Sequence, residues 1–140
     1  IAIALHACDT ATDDSIAWAV KNSAKVIMLA PCCHHDLQAQ IDLVPEPWSL
    51  LTRHGVVSER LIDLMTDSLR AQILKLLGYR VDIVEFIGGE HTPRNIMIRA
   101  VKTGVKVDEA EVARYQAMLA DWKIAPHLAD LLKSELSARI

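Results

Sequence analysis

The chain has 140 residues, of which 51% are hydrophobic and 24% are charged, and its formal net charge is −3. This length and composition are those of an ordinary globular domain with room for a substantial core. The small negative charge excludes a general electrostatic attraction for nucleic acid or anionic membranes. No apolar run approaches the roughly 18 residues of a membrane-spanning helix, so no membrane partner is expected.

The cysteines indicate the redox compartment of the protein, and the first residues indicate whether the chain is a fragment. Three cysteines, two of them adjacent, form an odd set that fits reduced cytoplasmic thiols better than a secreted disulfide framework. The sequence opens with Ile-Ala-Ile-Ala-Leu, which is neither an initiator methionine nor a signal peptide. A chain that opens inside a predicted strand is expected to be a fragment of a longer protein.

Strands and helices alternate along the first part of the chain. Residues 1–5 are apolar and predict a strand buried on both faces. Capping residues follow and predict a helix over about residues 9–23. The apolar run at 25–30 predicts a second strand, which the next proline ends, and a polar stretch leads on to the next helix.

The second part begins with the longest helical pattern, over residues 58–78, with the glycine at its end as the expected C-cap. Residues 80–87 and 95–102 alternate apolar and polar side chains, and a short Gly/Pro-containing link predicts that these two strands form an antiparallel hairpin. The segment 107–140 predicts two amphipathic helices separated at Pro126.

This order of elements predicts an α/β fold with a parallel sheet and one antiparallel final strand. The carboxyl ends of parallel strands meet at one edge of a sheet, where open α/β sheets bind ligands. Loops 6–9, 31–36 and 89–95 are predicted to lie at that edge. They contain all three cysteines and four of the six histidines, so we expect a functional site there.

The first loop contributes His6, Cys8 and Asp9. His6 and Asp9 either belong to the site or cap the following helix and satisfy its free amides. Cys8 is small and partly apolar, and packing is the simpler interpretation of it.

The second loop carries Cys32, Cys33, His34 and His35 in succession. Neighbours in extended chain are expected to leave one cysteine buried and one exposed. The alternative is a thiolate nucleophile, which needs a lowered pKa. Imidazole acts as a base near neutral pH, so at least one of the two histidines is expected to contact or deprotonate a substrate.

The third loop carries Glu90, His91 and Arg94. These residues either close a pocket and hold a substrate, including an anionic group, or simply stabilise the loop. Cys-Cys-His-His contains only zinc-binding residue types and therefore suggests a zinc site. Four consecutive residues cannot converge on one ion, since zinc ligands are usually spaced as C-x₂₋₄-C or H-x₃₋₅-H. A site that combines one or two of them with His6 or Cys8 stays open, and no metal is predicted.

Together the segments 5–9, 12–13, 30–35 and 88–95 resemble a methyltransferase-domain family. Its members include large bacterial methyltransferase proteins and a eukaryotic protein with a glutathione-transferase-like domain. A tRNA ribose 2′-O-methyltransferase family is more distantly similar and has a comparable Cys-Cys-His-His loop. The chain departs from that family after the loop, where Asp-Leu stands in place of Arg-Cys.

The resemblance implies the C-terminal half of a Rossmann-like, class I S-adenosylmethionine-dependent methyltransferase. Residues 1–104 would hold strands four to seven of its sheet, the last of them antiparallel, and 105–140 would be a helical tail. The Gly-rich motif and the ribose-binding acid of the family would lie in an absent N-terminal half, which would bind most of the cofactor. RNA is the expected substrate, and the fragment alone is expected to be inactive.

The resemblance also implies roles for the loop residues. His6 and Asp9 would line the methyl-acceptor side, His6 and Cys8 would contact the cofactor, and His34 and His35 would orient or deprotonate the acceptor. Two alternatives stay open: methylation at pyrimidine C5 through Cys32 or Cys33, and a non-catalytic module that binds a partner. The expected partners are the N-terminal half, RNA, and a second copy that pairs with the exposed first strand.

Overall fold

A computed structural model describes residues 1–85 and 95–140. Four strands, β1 (Ala2–Leu5), β2 (Val26–Ala30), β3 (Tyr79–Glu85) and β4 (Ile96–Lys102), form one sheet in the order β1-β2-β4-β3. β1 and β2 are parallel, whereas β4 pairs antiparallel with both β2 and β3. β3 therefore runs parallel to β1 and β2. The predicted mixed α/β sheet with an antiparallel last strand is confirmed.

Seven helices lie in the described ranges: α1 (Thr10–Lys21), α2 (His35–Gln40), α3 (Ser49–Thr52), α4 (Gly55–Leu76), α5 (Glu109–Trp122), α6 (His127–Leu131) and α7 (Lys133–Ser137). The short helices α2 and α3 replace the polar stretch predicted between β2 and α4. The single last helix that was predicted is instead two, because the backbone of Leu132 leaves helical geometry (φ −111°, ψ 22°). None of the helices in the described ranges combines the length and the apolarity that a membrane crossing requires.

One face of the sheet is buried under α1 and α4. Side chains alternate between the two faces of a strand, and the fully buried ones on the helix-covered face are Ile27, Leu29, Ile98 and Ala100. On β1, Ala2 and Ala4 share this face, while Ile3 and Leu5 point the other way and are 63% and 61% exposed. The prediction that this strand is buried on both faces is therefore wrong within the described chain, since its helices cover one face of β1.

The C-terminal helices pack into the same core as the sheet. Their buried side chains belong to one continuous hydrophobic cluster with those of α1 and α4; the main ones are Tyr115, Trp122, Leu128, Leu132 and Leu136. The carboxylate of Glu111 on α5 also binds Lys75 on α4 at 3.1 Å. Residues 105–140 thus help to cover α1 and α4, and the division of the chain at residue 104 stays a prediction.

The turn between α4 and β3 depends on a glycine. Leu77 ends the helix, and Gly78 follows it with φ +87°, a conformation that side chains with a Cβ rarely adopt. Its amide donates to the carbonyl of Lys75 at 3.0 Å. The predicted role of Gly78 at this helix end is confirmed, and it aims β3 back along the sheet.

Candidate functional site at the carboxyl edge of the sheet

The loops that follow β1 and β2 lie side by side. Leu5 is in register with Ala30 in the parallel ladder, and the amide of His6 donates to the carbonyl of Ala30 at 3.1 Å. The chain then turns sharply at His6 and Asp9, both of which have positive φ. The first two predicted site loops are therefore neighbours, as the parallel topology requires.

This arrangement brings three thiols together. The Sγ atom of Cys8 lies 3.4 Å from that of Cys32 and 3.5 Å from that of Cys33, and the last two are 3.7 Å apart. The prediction that one of the adjacent cysteines is buried and the other exposed is wrong, because both are half-buried. Both turn towards Cys8, which is exposed.

The thiol cluster does not favour a cysteine nucleophile at Cys32. Burial raises the pKa of Cys32 to about 12, and the thiols of Cys8 and Cys33 add to that rise. A nucleophilic cysteine needs its thiolate near neutral pH, which positive neighbours normally provide. The raised pKa disfavours the thiolate of Cys32, so this environment does not favour attack on a pyrimidine ring by this residue.

Asp9 links the two loops through its carboxylate. Its oxygens accept hydrogen bonds from the backbone amides of His35 at 3.1 Å and Asp36 at 3.0 Å. These amides belong to the first turn of α2, where backbone amides have no acceptor within the helix, and the N-cap residue His34 offers them no side-chain bond. Asp9 also occupies the N-cap position of α1 but makes no capping bond there. The capping role weighed for it thus falls on the second helix instead of the first.

His34 lies buried between two carboxylates of α4. Its Nε2 atom is 3.0 Å from Oδ2 of Asp67, its Nδ1 atom is 3.4 Å from Oδ1 of Asp63, and its side chain is 4% exposed. Neither contact has the alignment of a regular hydrogen bond. His35 and His6, in contrast, are exposed. Of the three histidines in the described loops, His34 is the one that is buried against side chains of another element.

His34 is connected through Asp67 to a buried network of charged side chains. The guanidinium of Arg70 donates two bonds to Asp13, at 2.7 and 3.2 Å, and one to Asp67 at 3.1 Å. It also donates to the carbonyl of Asp9 at 2.9 Å. Burial raises the pKa of Asp13, and the paired Arg70 opposes that rise. The network therefore connects the start of α1, the middle of α4 and the loop after β2.

Sequence reasoning missed Asp63, Asp67 and Arg70 because they lie on the long helix and not in the loops predicted at the sheet edge. Their spacing of four and three residues places all three on one face of a helix. Charged residues at this spacing, next to the apolar stripe of the helix, could have indicated a buried charge network. The partner residue on α1, Asp13, belongs to a segment of the family resemblance, and nothing in the sequence indicated its pairing with Arg70.

Next to His34 is a cavity of about 410 Å³. It lies between the first half of α4 and the ends of β2, β3 and β4, and its walls are Pro31, His34, Val56, Glu59, Arg60, Asp63, Leu64, Asp67, Glu85, Asn95 and Ile96. Among these described residues four are acids and one is an arginine, so this part of the cavity wall is negative in balance. Glu90, His91 and Arg94 lie outside the described residues.

The comparison with known proteins agrees with the fold and with these loops. An open α/β sheet with polar groups at the carboxyl edge is a common frame for enzymes that bind small cofactors. Residues 1–40 match a family model described as a methyltransferase domain. This segment runs from β1 through α2, and over it the predicted resemblance to a methyltransferase-domain family is confirmed. No curated protein and no solved structure matches the chain significantly.

Proposed function

We propose that the chain is the acceptor-side half of an S-adenosylmethionine-dependent methyltransferase. The observation that carries the proposal is the strand order β1-β2-β4-β3, in which one antiparallel strand lies between two parallel ones. The family that residues 1–40 match supports the same function. In this assignment β1 to β4 correspond to strands four to seven of a seven-stranded methyltransferase sheet.

The uncovered side of β1 supports the proposed N-terminal half as a partner. Within the described residues β1 pairs only with β2, and its other edge is open. Ile3 and Leu5 are exposed on the face of β1 that points away from the helices, and Trp18 of α1, 63% exposed, lies beside Ile3 in the same shallow depression. Such a concentration of apolar side chains marks a contact surface. Further strands of the same sheet would pair with the open edge, and helices of that half would cover the exposed apolar face.

The described residues do not enclose S-adenosylmethionine by themselves. The carboxylate of Asp9 already accepts hydrogen bonds from two amides of α2, so part of its acceptor capacity is used within the chain. When bound, the cofactor supplies an electrophilic methyl group. Its main contacts are proposed to come from the N-terminal half, with His6 and Cys8 at the rim.

The proposed acceptor site is the cavity beside His34. Asp63 and Asp67 fix the imidazole in place, and a fixed imidazole can orient a hydroxyl or N–H group and take up its proton. His35 and the third loop would contact the acceptor from outside. For the proposed RNA substrate, the negative cavity favours a base or a ribose inside and leaves the phosphates outside.

Methyl transfer tests this proposal in the longer protein that contains the chain. Transfer of a radiolabelled methyl group to RNA is expected, and His34→Gln is expected to reduce the rate by about 100-fold or more. The control is His54→Gln, because His54 is exposed at the start of α4. An unchanged rate for His34→Gln would contradict the role of His34. Transfer to protein but not to RNA would contradict the proposed substrate.

The 140-residue chain alone provides a separate test of how the cofactor is shared. We expect calorimetry to detect very weak binding of S-adenosylmethionine, or none, because the ribose and the methionine carboxylate are proposed to contact mainly the N-terminal half. Binding in the micromolar range would contradict the proposed division of the cofactor site.

A further inference from the structure

The three sulfurs at the carboxyl edge form a nearly equilateral triangle with sides of 3.4, 3.5 and 3.7 Å. Zinc binds thiolates at about 2.3 Å in tetrahedral geometry, which separates two sulfurs by about 3.8 Å. An ion about 2.3 Å from each sulfur would then lie about 1 Å above the plane of the triangle. The distances between the sulfurs are thus close to those between three thiolate ligands of a tetrahedral zinc ion.

The thiols converge because the two loops are fixed independently of them. The parallel ladder places Leu5 beside Ala30, so that Cys8 and Cys32 follow neighbouring strand ends. The carboxylate of Asp9 then binds the amide of Asp36 and holds the loops together on the far side of the cysteines. The backbone therefore brings the ligands together before any ion arrives, and this reduces the entropic cost of binding.

We propose that Cys8, Cys32 and Cys33 form a binding site for a thiophilic divalent cation, with Zn²⁺ as the fitting ion. Each thiol loses its proton to solvent as its sulfur binds the metal, so three thiolates hold the ion. Cys8 is exposed, which leaves the fourth coordination position open to water or to a ligand from outside. This proposal does not depend on methyl transfer, and none of the three cysteines lines the cavity beside His34.

The donor atoms select the class of metal. Sulfur ligands favour soft or borderline ions such as Zn²⁺, whereas Mg²⁺ and Ca²⁺ require oxygen ligands. Asp9 is adjacent to Cys8 in sequence, but its carboxylate is bonded to the amides of α2. Sequence spacing argued against four consecutive ligands and left open a site that combines one or two residues of the second loop with His6 or Cys8, and the cluster is of that second kind. Its ligands are two adjacent cysteines and a third from another loop, and no histidine is required.

Cobalt substitution tests the site directly. The reduced, metal-free 140-residue chain is titrated with Co²⁺, which replaces zinc and reports its ligands by absorption. We expect an equimolar complex with sulfur-to-cobalt charge-transfer bands and the intense visible bands of a tetrahedral ion, and we expect Zn²⁺ to displace the cobalt. Zn²⁺ is also expected to raise the Tm by roughly 5–10 °C at a concentration of about 100 times its Kd.

Single substitutions distinguish this cluster from other metal ligands. Cys8→Ser changes an exposed side chain, so the variant is expected to keep its circular dichroism spectrum, to lose the charge-transfer bands and to lose the zinc-dependent Tm rise. His35→Ala is the matched control and should bind cobalt as the unaltered chain does. Cobalt spectra without sulfur bands, or full binding by Cys8→Ser, would overturn the proposal. So would a reduced chain that binds no metal and, on oxidation, forms a disulfide between Cys8 and Cys32.

Discussion

The carboxylate of Asp9 accepts a hydrogen bond from the backbone amide of Asp36 at 3.0 Å, across an interval of 27 residues. One side chain at the start of α1 therefore caps the start of α2. Replacement of a capping carboxylate by alanine typically costs about 1 kcal/mol. The bond also sets the distance between the two loops that carry the cysteines.

We expect Asp9→Ala to lower the free energy of unfolding by about 1 kcal/mol, because two amides of α2 lose their acceptor. Asp9→Asn keeps an acceptor oxygen and should lose less. Urea denaturation measures both changes. Asp42→Asn is the control, since Asp42 is exposed, and its stability should not change. Equal stability of Asp9→Ala and the unaltered chain would contradict the capping role.

The buried Arg70 predicts a larger effect. Arg70→Met leaves Asp13 and Asp67 without their partner, and breaking a buried ion pair typically costs about 3–5 kcal/mol. Thermal or urea unfolding is expected to show this loss. Arg53→Met, at an exposed position, should change stability by no more than about 0.5 kcal/mol. Similar results for the two variants would show that the network contributes little.

Alanine substitutions at Gly78 and Gly55 are expected to have different effects on stability. A Cβ at Gly78 would be strained by the positive φ and would meet the guanidinium of Arg139, so Gly78→Ala is expected to destabilise the chain by about 1–2 kcal/mol. Gly55 lies in a helix with open space around it. Gly55→Ala should therefore be neutral or stabilising by up to about 1 kcal/mol. The order of their Tm values checks the prediction, and the reverse order would refute it.

Glu111 predicts a pH dependence of stability. Its hydrogen bonds with Arg114, Lys75 and Gln72 lower its pKa from 4.5 to about 2. A carboxyl group with a lowered pKa in the folded state stabilises the fold above its unfolded pKa, and that contribution is lost as the pH falls from about 4.5 to about 2. Glu111→Gln should flatten this part of the unfolding profile. An unchanged profile for Glu111→Gln would contradict the prediction.

The open edge of β1 predicts self-association of the isolated chain. Within residues 1–85 and 95–140 the backbone groups of this edge have no strand partner, Ile3 is exposed, and β1 contains no protecting lysine or proline. Two copies of the strand can pair antiparallel about a two-fold axis. Light scattering at roughly tens of micromolar is expected to show a dimer. Ile3→Lys should give a monomer, whereas Val105→Lys, at an exposed apolar position away from the sheet edge, should not. A monomeric unaltered chain would contradict the prediction.

Local patterns in the sequence predicted most of the elements. The alternation at β3 and β4, the helical spacing of α4 and the glycine at its end each depend on neighbours along the chain, and the structure has all of them. The grouping of the first two loops also followed, since parallel strands end at a common edge. These features are local or topological, and a single sequence contains them.

The contacts inside the site were not predictable in the same way. Arg70 meets Asp13 across 57 residues, and Cys8 meets Cys32 across 24. Such pairs depend on how α1 and α4 rotate as they pack on the sheet, and residue spacing does not determine that rotation. The break between α6 and α7 has a similar origin, because the fully buried Leu132 is fitted to the core.

The position of β4 between β2 and β3 also governs how the chain can be divided. β2 and β4 are neighbours in space, although Ile27 and its partner Ala100 are 73 positions apart in the sequence. During synthesis β3 leaves the ribosome with no strand beside it, since its one neighbour in the described sheet is made later. A protein split between β3 and β4 would yield a β1-β2 ribbon and an orphaned β3. A short peptide that supplies β4 would then be the piece that restores the sheet, which makes this strand a natural basis for a fragment-complementation reporter.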